Sequence, residues 1–132
     1  MVLYTKSIFD EKSFTDGTRI SVMSRHTLQD GVTPDPRITD ESYQLWMPKL
    51  APPAELVGGY YKRGLPWADF GSMYLAHLQQ RDIAGIVADL AKNSVSENMT
   101  LLCVEPRGEN CHRLILAEAC RAYIPDLRIE HR

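Results

Sequence analysis

Hydrophobic and polar positions alternate with a period of two in the first part of the chain. Leu3 to Phe9 and Thr18 to Ser24 combine this alternation with β-branched residues, so both segments predict strands. The run "MTLLCVE", residues 99–105, is almost continuously apolar, which is typical of a strand buried on both faces. The segment "DLRIEH", residues 126–131, predicts a last short strand.

Apolar residues recur at helical spacing in the middle and near the end of the chain. Helices are predicted from Pro66, from Asp82 as an N-cap, and from Asn110. A shorter helix is predicted from Asp40 that ends at Pro48 or soon after, and a turn of helix is predicted around Glu55. The expected inward residues are Trp67, Phe70, Met73, Tyr74 and Leu78 in the first helix, and Ile83, Ile86, Val87 and Leu90 in the second.

This order of strands and helices predicts one compact α/β domain over residues 1–132, with a parallel or mixed central sheet and helices on both faces. No apolar run reaches the length of a membrane span, and the N-terminal segment lacks a signal-peptide pattern. We therefore expect a cytoplasmic protein without a membrane partner. The formal net charge of −2 does not support nucleic-acid binding, although a local basic patch stays possible. The oligomeric state is left open.

The richest chemistry lies in "TLLCVEPRGENCHRLILAEACRAY", residues 100–123. Glu105 ends a predicted strand, and Cys111, His112 and Arg113 begin the predicted helix. Ligands in α/β proteins bind where strand ends meet helix N-termini. A helical wheel places His112 at the centre of the apolar stripe, pointing toward the sheet, with Cys111 and Arg113 on either side.

Several hypotheses for this turn stay open. In a catalytic site, the helix dipole would lower the pKa of Cys111 and make it a reactive thiol, with Glu105 or His112 as acid or base. In an anion site, Arg113, with Arg107 as a further candidate and Arg25 after the second strand, would bind a small anionic ligand. A purely structural role is the third hypothesis, with the thiols buried.

Cys103, Cys111 and His112 are also acceptable zinc ligands. Their spacing does not match a zinc finger or ribbon, and adjacent residues on a helix diverge by about 100°. The sequence therefore assigns no metal and no cofactor. Tyr60 and Tyr61, in the glycine-rich segment 58–64, are expected to close over the site.

The pattern "CVE" followed by "CHR" resembles the YeaO-like family of uncharacterised bacterial and archaeal proteins. Trp46 to Pro52 and the Trp67, Phe70 and Tyr74 spacing extend the resemblance over most of the chain. Family members often carry an aspartate before the strand-end arginine, whereas this chain has Ser24. The resemblance implies a compact single-domain α/β fold and no particular reaction.

Together these features predict a protein that binds, and in one version transforms, a small anionic or nucleotide-like ligand. A non-enzymatic nucleic-acid or protein-binding module is the first alternative, and a redox or metal sensor is the second. Whether the protein is an enzyme is left open by the sequence.

Overall fold

A computed structural model describes all 132 residues. Five strands form one sheet in the order β3-β2-β4-β1-β5, and every neighbouring pair is parallel. The predicted α/β class is therefore confirmed, and the sheet is parallel throughout. The strands are β1 Leu3–Ser7, β2 Thr18–Ser21, β3 Leu45–Trp46, β4 Met99–Cys103 and β5 Ile129–His131.

Four α-helices accompany the sheet: α1 Ala54–Lys62, α2 Trp67–Leu78, α3 Arg81–Ser96 and α4 His112–Ala119. The first three connect β3 to β4, and the fourth connects β4 to β5. Both connections run in the same direction across the sheet, so right-handed crossovers place all four helices on one face. Their buried residues accordingly form a single hydrophobic cluster with Leu3, Ile20 and Leu101 of the strands.

The other face of the sheet is covered by loops and a 3-10 turn, Phe14–Asp16, instead of the helices that the sequence predicts there. Asp16 is 1% exposed and lies among three cationic side chains. Its carboxylate oxygens are 3.1 Å from Lys6 Nζ, 2.7 Å from Arg19 Nη1 and 2.8 Å from Arg132 Nη1. Its backbone carbonyl accepts from Thr100 Oγ1 at 2.7 Å. A polar cluster thus occupies the position of a second helical layer.

The prediction of a helix from Asp40 to Pro48 or soon after is wrong. Leu45 and Trp46 form the edge strand β3, paired with Ile20 and Ser21, and a 3-10 turn follows at Pro48–Leu50. The short segment pairs with backbone N–H and C=O groups at the edge of β2, and the periodicity of a segment does not predict such a long-range contact.

The remaining helices lie close to their predicted positions. The N-cap of α3 is Gln80 instead of Asp82, and Met73 of α2 is exposed. The segment around Glu55 forms the nine-residue helix α1, which is longer than the single predicted turn. No helix has the length and the apolar composition needed to cross a membrane.

Candidate functional site

The carboxyl ends of the parallel strands open into a small cleft. The cleft has a volume of about 220 Å³ and lies between the ends of β2 and β4, the start of α4, and residues of α1 and α2. This is the edge of an open α/β sheet where ligands normally bind. Its lining includes Arg25, Tyr61, Trp67, Phe70, Cys103, Glu105 and His112.

His112 lies in the first turn of α4 and points toward the sheet, as the helical wheel predicts. Its Nε2 is 2.9 Å from the backbone oxygen of Val22, just beyond β2. Its Nδ1 faces two thiols, at 3.8 Å from Cys103 Sγ and 4.0 Å from Cys111 Sγ. Burial alone would lower the pKa of His112, but the Cys111 sulfur and the Val22 carbonyl outweigh it and raise the pKa.

Cys111 differs from its predicted role as an activated thiol. It is the N-cap of α4, with extended backbone angles (φ −149°, ψ 144°), and the residue is 2% exposed. Burial raises the pKa of the Cys111 thiol, because a thiolate is poorly solvated among Ile8, Met23 and Leu102. Desolvation therefore outweighs the helix dipole on which the prediction depended.

Glu105 follows β4 and accepts hydrogen bonds from two sides. Tyr61 Oη donates to Oε1 at 2.5 Å, and Cys103 Sγ donates to Oε2 at 3.3 Å. Burial would raise the pKa of Glu105, but its hydrogen bonds, of which the one from Tyr61 counts most, outweigh burial and lower the pKa overall. Burial, together with this carboxylate, raises the pKa of Tyr61. Glu105 is consequently ionised at neutral pH and suited to accept a proton or a hydrogen bond.

The two arginines predicted to hold an anion lie in different environments. Arg25 is exposed, lines the cleft, and donates weakly to the Gly31 carbonyl at 3.3 Å. Arg113 is 1% exposed and does not line the cleft, and its Nε and Nη1 have no hydrogen-bond partner. The predicted pair of arginines around one anion is therefore not formed, because successive residues on α4 point in different directions.

The aromatic wall of the cleft was only partly predicted. Tyr61 lines the cleft, whereas Tyr60 lies beside it, packs edge-on against Trp67, and accepts from Asn110 Nδ2 at 3.3 Å. Trp67 and Phe70 stack with centroids 4.8 Å apart and also line the cleft. Helical spacing assigned these two residues to the core, and nothing in their pattern marks a side chain that faces a cleft.

A larger groove of about 650 Å³ lies between α1 and α2. It contains none of the predicted site residues, and its Arg63 already donates to the Glu55 carbonyl at 2.7 Å. Volume alone does not identify a functional site, so the smaller cleft, where acidic, basic and thiol groups converge, is the better candidate.

Residues 3–123 match the family model DUF488-N3a, described as the active DUF488-N3 subclade. The match covers most of the chain, which therefore belongs to this family of unknown function. Comparisons with curated proteins and with solved structures give no match. The finer resemblance to YeaO-like proteins stays a prediction.

Proposed function

We propose that this DUF488-N3 protein binds a small nucleotide-like ligand in the strand-end cleft. One observation carries the proposal: an aromatic-walled cleft holds an ionised carboxylate, Glu105, and an exposed guanidinium, Arg25. Its volume of about 220 Å³ is below the roughly 300–1,000 Å³ of sites for drug-sized ligands. A single ring inside the cleft, with a charged group left outside, fits these dimensions.

The walls favour a planar ring over a simple anion. Trp67, Phe70 and Tyr61 offer apolar and π surface, on which a nucleobase stacks without regard to its identity. The Glu105 carboxylate would repel a phosphate at the same position but accept a hydrogen bond from a ring N–H or an amino group. Arg25 would then bind the phosphate or another anionic substituent at the exposed side of the cleft.

Glu105 is also our candidate for proton transfer. An ionised carboxylate next to a bound ring can accept a proton, whereas the buried Cys111 thiol is a poor nucleophile. The acid–base version of the sequence hypothesis is thus favoured over the thiol version. We expect this activity in the cytoplasm, where the three free cysteines would stay reduced.

Titrations followed by NMR would test the proposal, comparing nucleoside monophosphates with nucleosides, ribose 5-phosphate and inorganic phosphate. Nucleotides should bind best and shift the indole signal of Trp67. Arg25→Gln should weaken nucleotide binding by about tenfold, the loss of one charge-assisted hydrogen bond. Arg107→Gln, in the exposed turn outside the cleft, is the matched control and should change little.

Two results would count against the proposal. Inorganic phosphate binding as tightly as a nucleotide would show that the aromatic walls do not recognise a ring. Preferential binding of single strands, with affinity falling steeply with salt, would instead support the nucleic-acid alternative. That alternative would use residues 60–64, which combine two tyrosines with a lysine and an arginine. This segment is helical up to Lys62, and Tyr60 packs against Trp67 and Phe70, so fewer of its groups are free to stack on bases.

A further inference from the structure

We propose that Cys103, Cys111 and His112 form a zinc site beside the cleft, with a fourth position facing Glu105. The two thiol sulfurs and the imidazole Nδ1 all lie within 4.8 Å of one another. The inference goes beyond ligand binding, since it requires no organic ligand and no reaction in the cleft.

The distances approach those of a tetrahedral zinc centre. Zn–S bonds of about 2.3 Å and Zn–N bonds of about 2.0 Å place two sulfurs about 3.8 Å apart and a sulfur and a nitrogen about 3.5 Å apart. Here the two S···N distances are 3.8 and 4.0 Å. Small side-chain rotations would bring the three ligands onto one ion.

The local backbone removes the objection that adjacent residues diverge on a helix. Cys111 is an N-cap in extended conformation, whereas His112 is the first residue of α4. Their side chains are therefore not separated by the helical step of about 100°, and both approach Cys103 at the end of β4.

His112 is also oriented as a zinc ligand. The Val22 carbonyl can only accept a hydrogen bond, so the Nε2 atom 2.9 Å away carries the hydrogen. In a neutral imidazole this leaves the lone pair on Nδ1, the atom that faces both thiols. A backbone carbonyl bound to the distal nitrogen is a usual outer contact of a metal-binding histidine.

Charge and access favour zinc as well. Two thiolates neutralise the charge of Zn²⁺, so the occupied site would be neutral in a largely buried position. Mixed sulfur and nitrogen ligands suit Zn²⁺, unlike the oxygen ligands that Mg²⁺ and Ca²⁺ prefer. Cys103 and His112 line the cleft, which provides an entry path for the ion.

Glu105 lies beside the fourth coordination position of the ion, where a water molecule would bind. Its Oε2 is 3.3 Å from Cys103 Sγ, close enough to contact a water bound to the ion. Zinc held by one histidine and two cysteines, next to a glutamate that is not a ligand, is the arrangement of zinc-dependent nucleobase deaminases. The likeness concerns the donor set alone, and the cleft walls described above suit the same class of ring.

Metal analysis of protein produced in zinc-supplemented medium and purified without chelators would test the site. We expect about one zinc per chain in the wild type, and one in Glu105→Gln. Cys103→Ser, Cys111→Ser and His112→Ala should lose it. Cys120→Ala is the matched control, since Cys120 is buried in the main core, and it should keep its zinc.

Cobalt substitution of the wild type tests the site without relying on variants that fail to fold. Tetrahedral Co²⁺ with two thiolates should give strong visible bands and a sulfur-to-cobalt charge-transfer band. Reduced wild type that binds neither Zn²⁺ nor Co²⁺, and whose Cys103 and Cys111 are alkylated equally with and without zinc, would overturn the inference. Loss of zinc from Glu105→Gln would overturn the assignment of three protein ligands. Neither result bears on nucleotide binding, which is measured separately.

Discussion

Replacing Asp16 by asparagine should cause a large loss of stability. Asp16 is the only carboxylate bonded to Lys6, Arg19 and Arg132, and it is almost fully buried. Asparagine keeps the shape but removes the charge, which leaves the buried Arg19 without a counter-ion. Removing one partner of a buried ion pair costs about 3–5 kcal/mol, a large part of the roughly 5–15 kcal/mol that stabilises a domain.

Urea denaturation followed by circular dichroism at neutral pH would measure the change. In thermal unfolding followed by the same signal, the melting temperature should fall by roughly 10–20 °C, given the usual relation between free energy and melting temperature for a domain of this size. Asp10→Asn, in the same connection but exposed and without an ion pair, is the matched control. A loss below about 1 kcal/mol for Asp16→Asn would show that the cluster does not stabilise the fold.

The effect should depend on pH in one direction. Burial would raise the pKa of Asp16, but the Ser13 N–H, Lys6 and Arg19 outweigh it and lower the pKa. A carboxyl with a lower pKa in the folded state stabilises the fold above its unfolded pKa of about 3.9, and the contribution is lost as the pH falls through the folded value. The wild type and Asp16→Asn should therefore converge in acid. A difference that persists undiminished at low pH would contradict the charge-based explanation.

Three further predictions concern the turn before β2, the cleft and the thiols. Gly17→Ala should lower the free energy of unfolding, measured by urea denaturation, by more than about 3 kcal/mol, because φ is 62° and the new Cβ would lie 1.9 Å from the Asn98 carbonyl oxygen. The matched control is Gly85→Ala in α3, where no atom lies near the added Cβ, and it should leave stability unchanged or raise it. Tyr61→Phe should raise the pKa of Glu105, because the carboxylate loses one hydrogen bond to its charged form. NMR titration of the carboxyl carbon measures this pKa, and an unchanged value would mean that Tyr61 does not stabilise the carboxylate. In metal-free protein, Cys111 and Cys120 should be alkylated far more slowly than an ordinary thiol at neutral pH. The reason is burial, which raises the pKa of both thiols, that of Cys120 to about 12. Rapid alkylation of Cys111 at pH 7 would restore the hypothesis that it is a nucleophile.

The local pattern of hydrophobic residues was sufficient to predict the elements that are long or fully apolar. The continuous apolar run of β4 and the helical stripes of α2 and α3 reflect burial, which acts on each segment over its whole length. The direction of His112 toward the sheet also follows from spacing, because the apolar side of α4 has to face the core. These features were predictable since a single periodic pattern dominates each of them.

Tertiary structure alone decided the composition of the site. Helix N-termini in general favour thiolates, but only the packed environment shows that Cys111 is buried and that desolvation prevails. Arg113 and Arg25 looked equivalent in the sequence, yet one is enclosed and the other lines the cleft.

The sequence by itself determined that residues 103–113 bring thiols, a carboxylate and an imidazole to one turn after a buried strand. It did not determine their mutual geometry, because an N-cap residue leaves the helical path, and its direction depends on what packs against it. The extended backbone of Cys111 brings its sulfur to within 4.0 Å of His112 Nδ1, and the carbonyl of Val22, just after β2, orients that ring. Contacts between distant segments, which no local pattern encodes, thus turn a set of reactive residues into a candidate metal site.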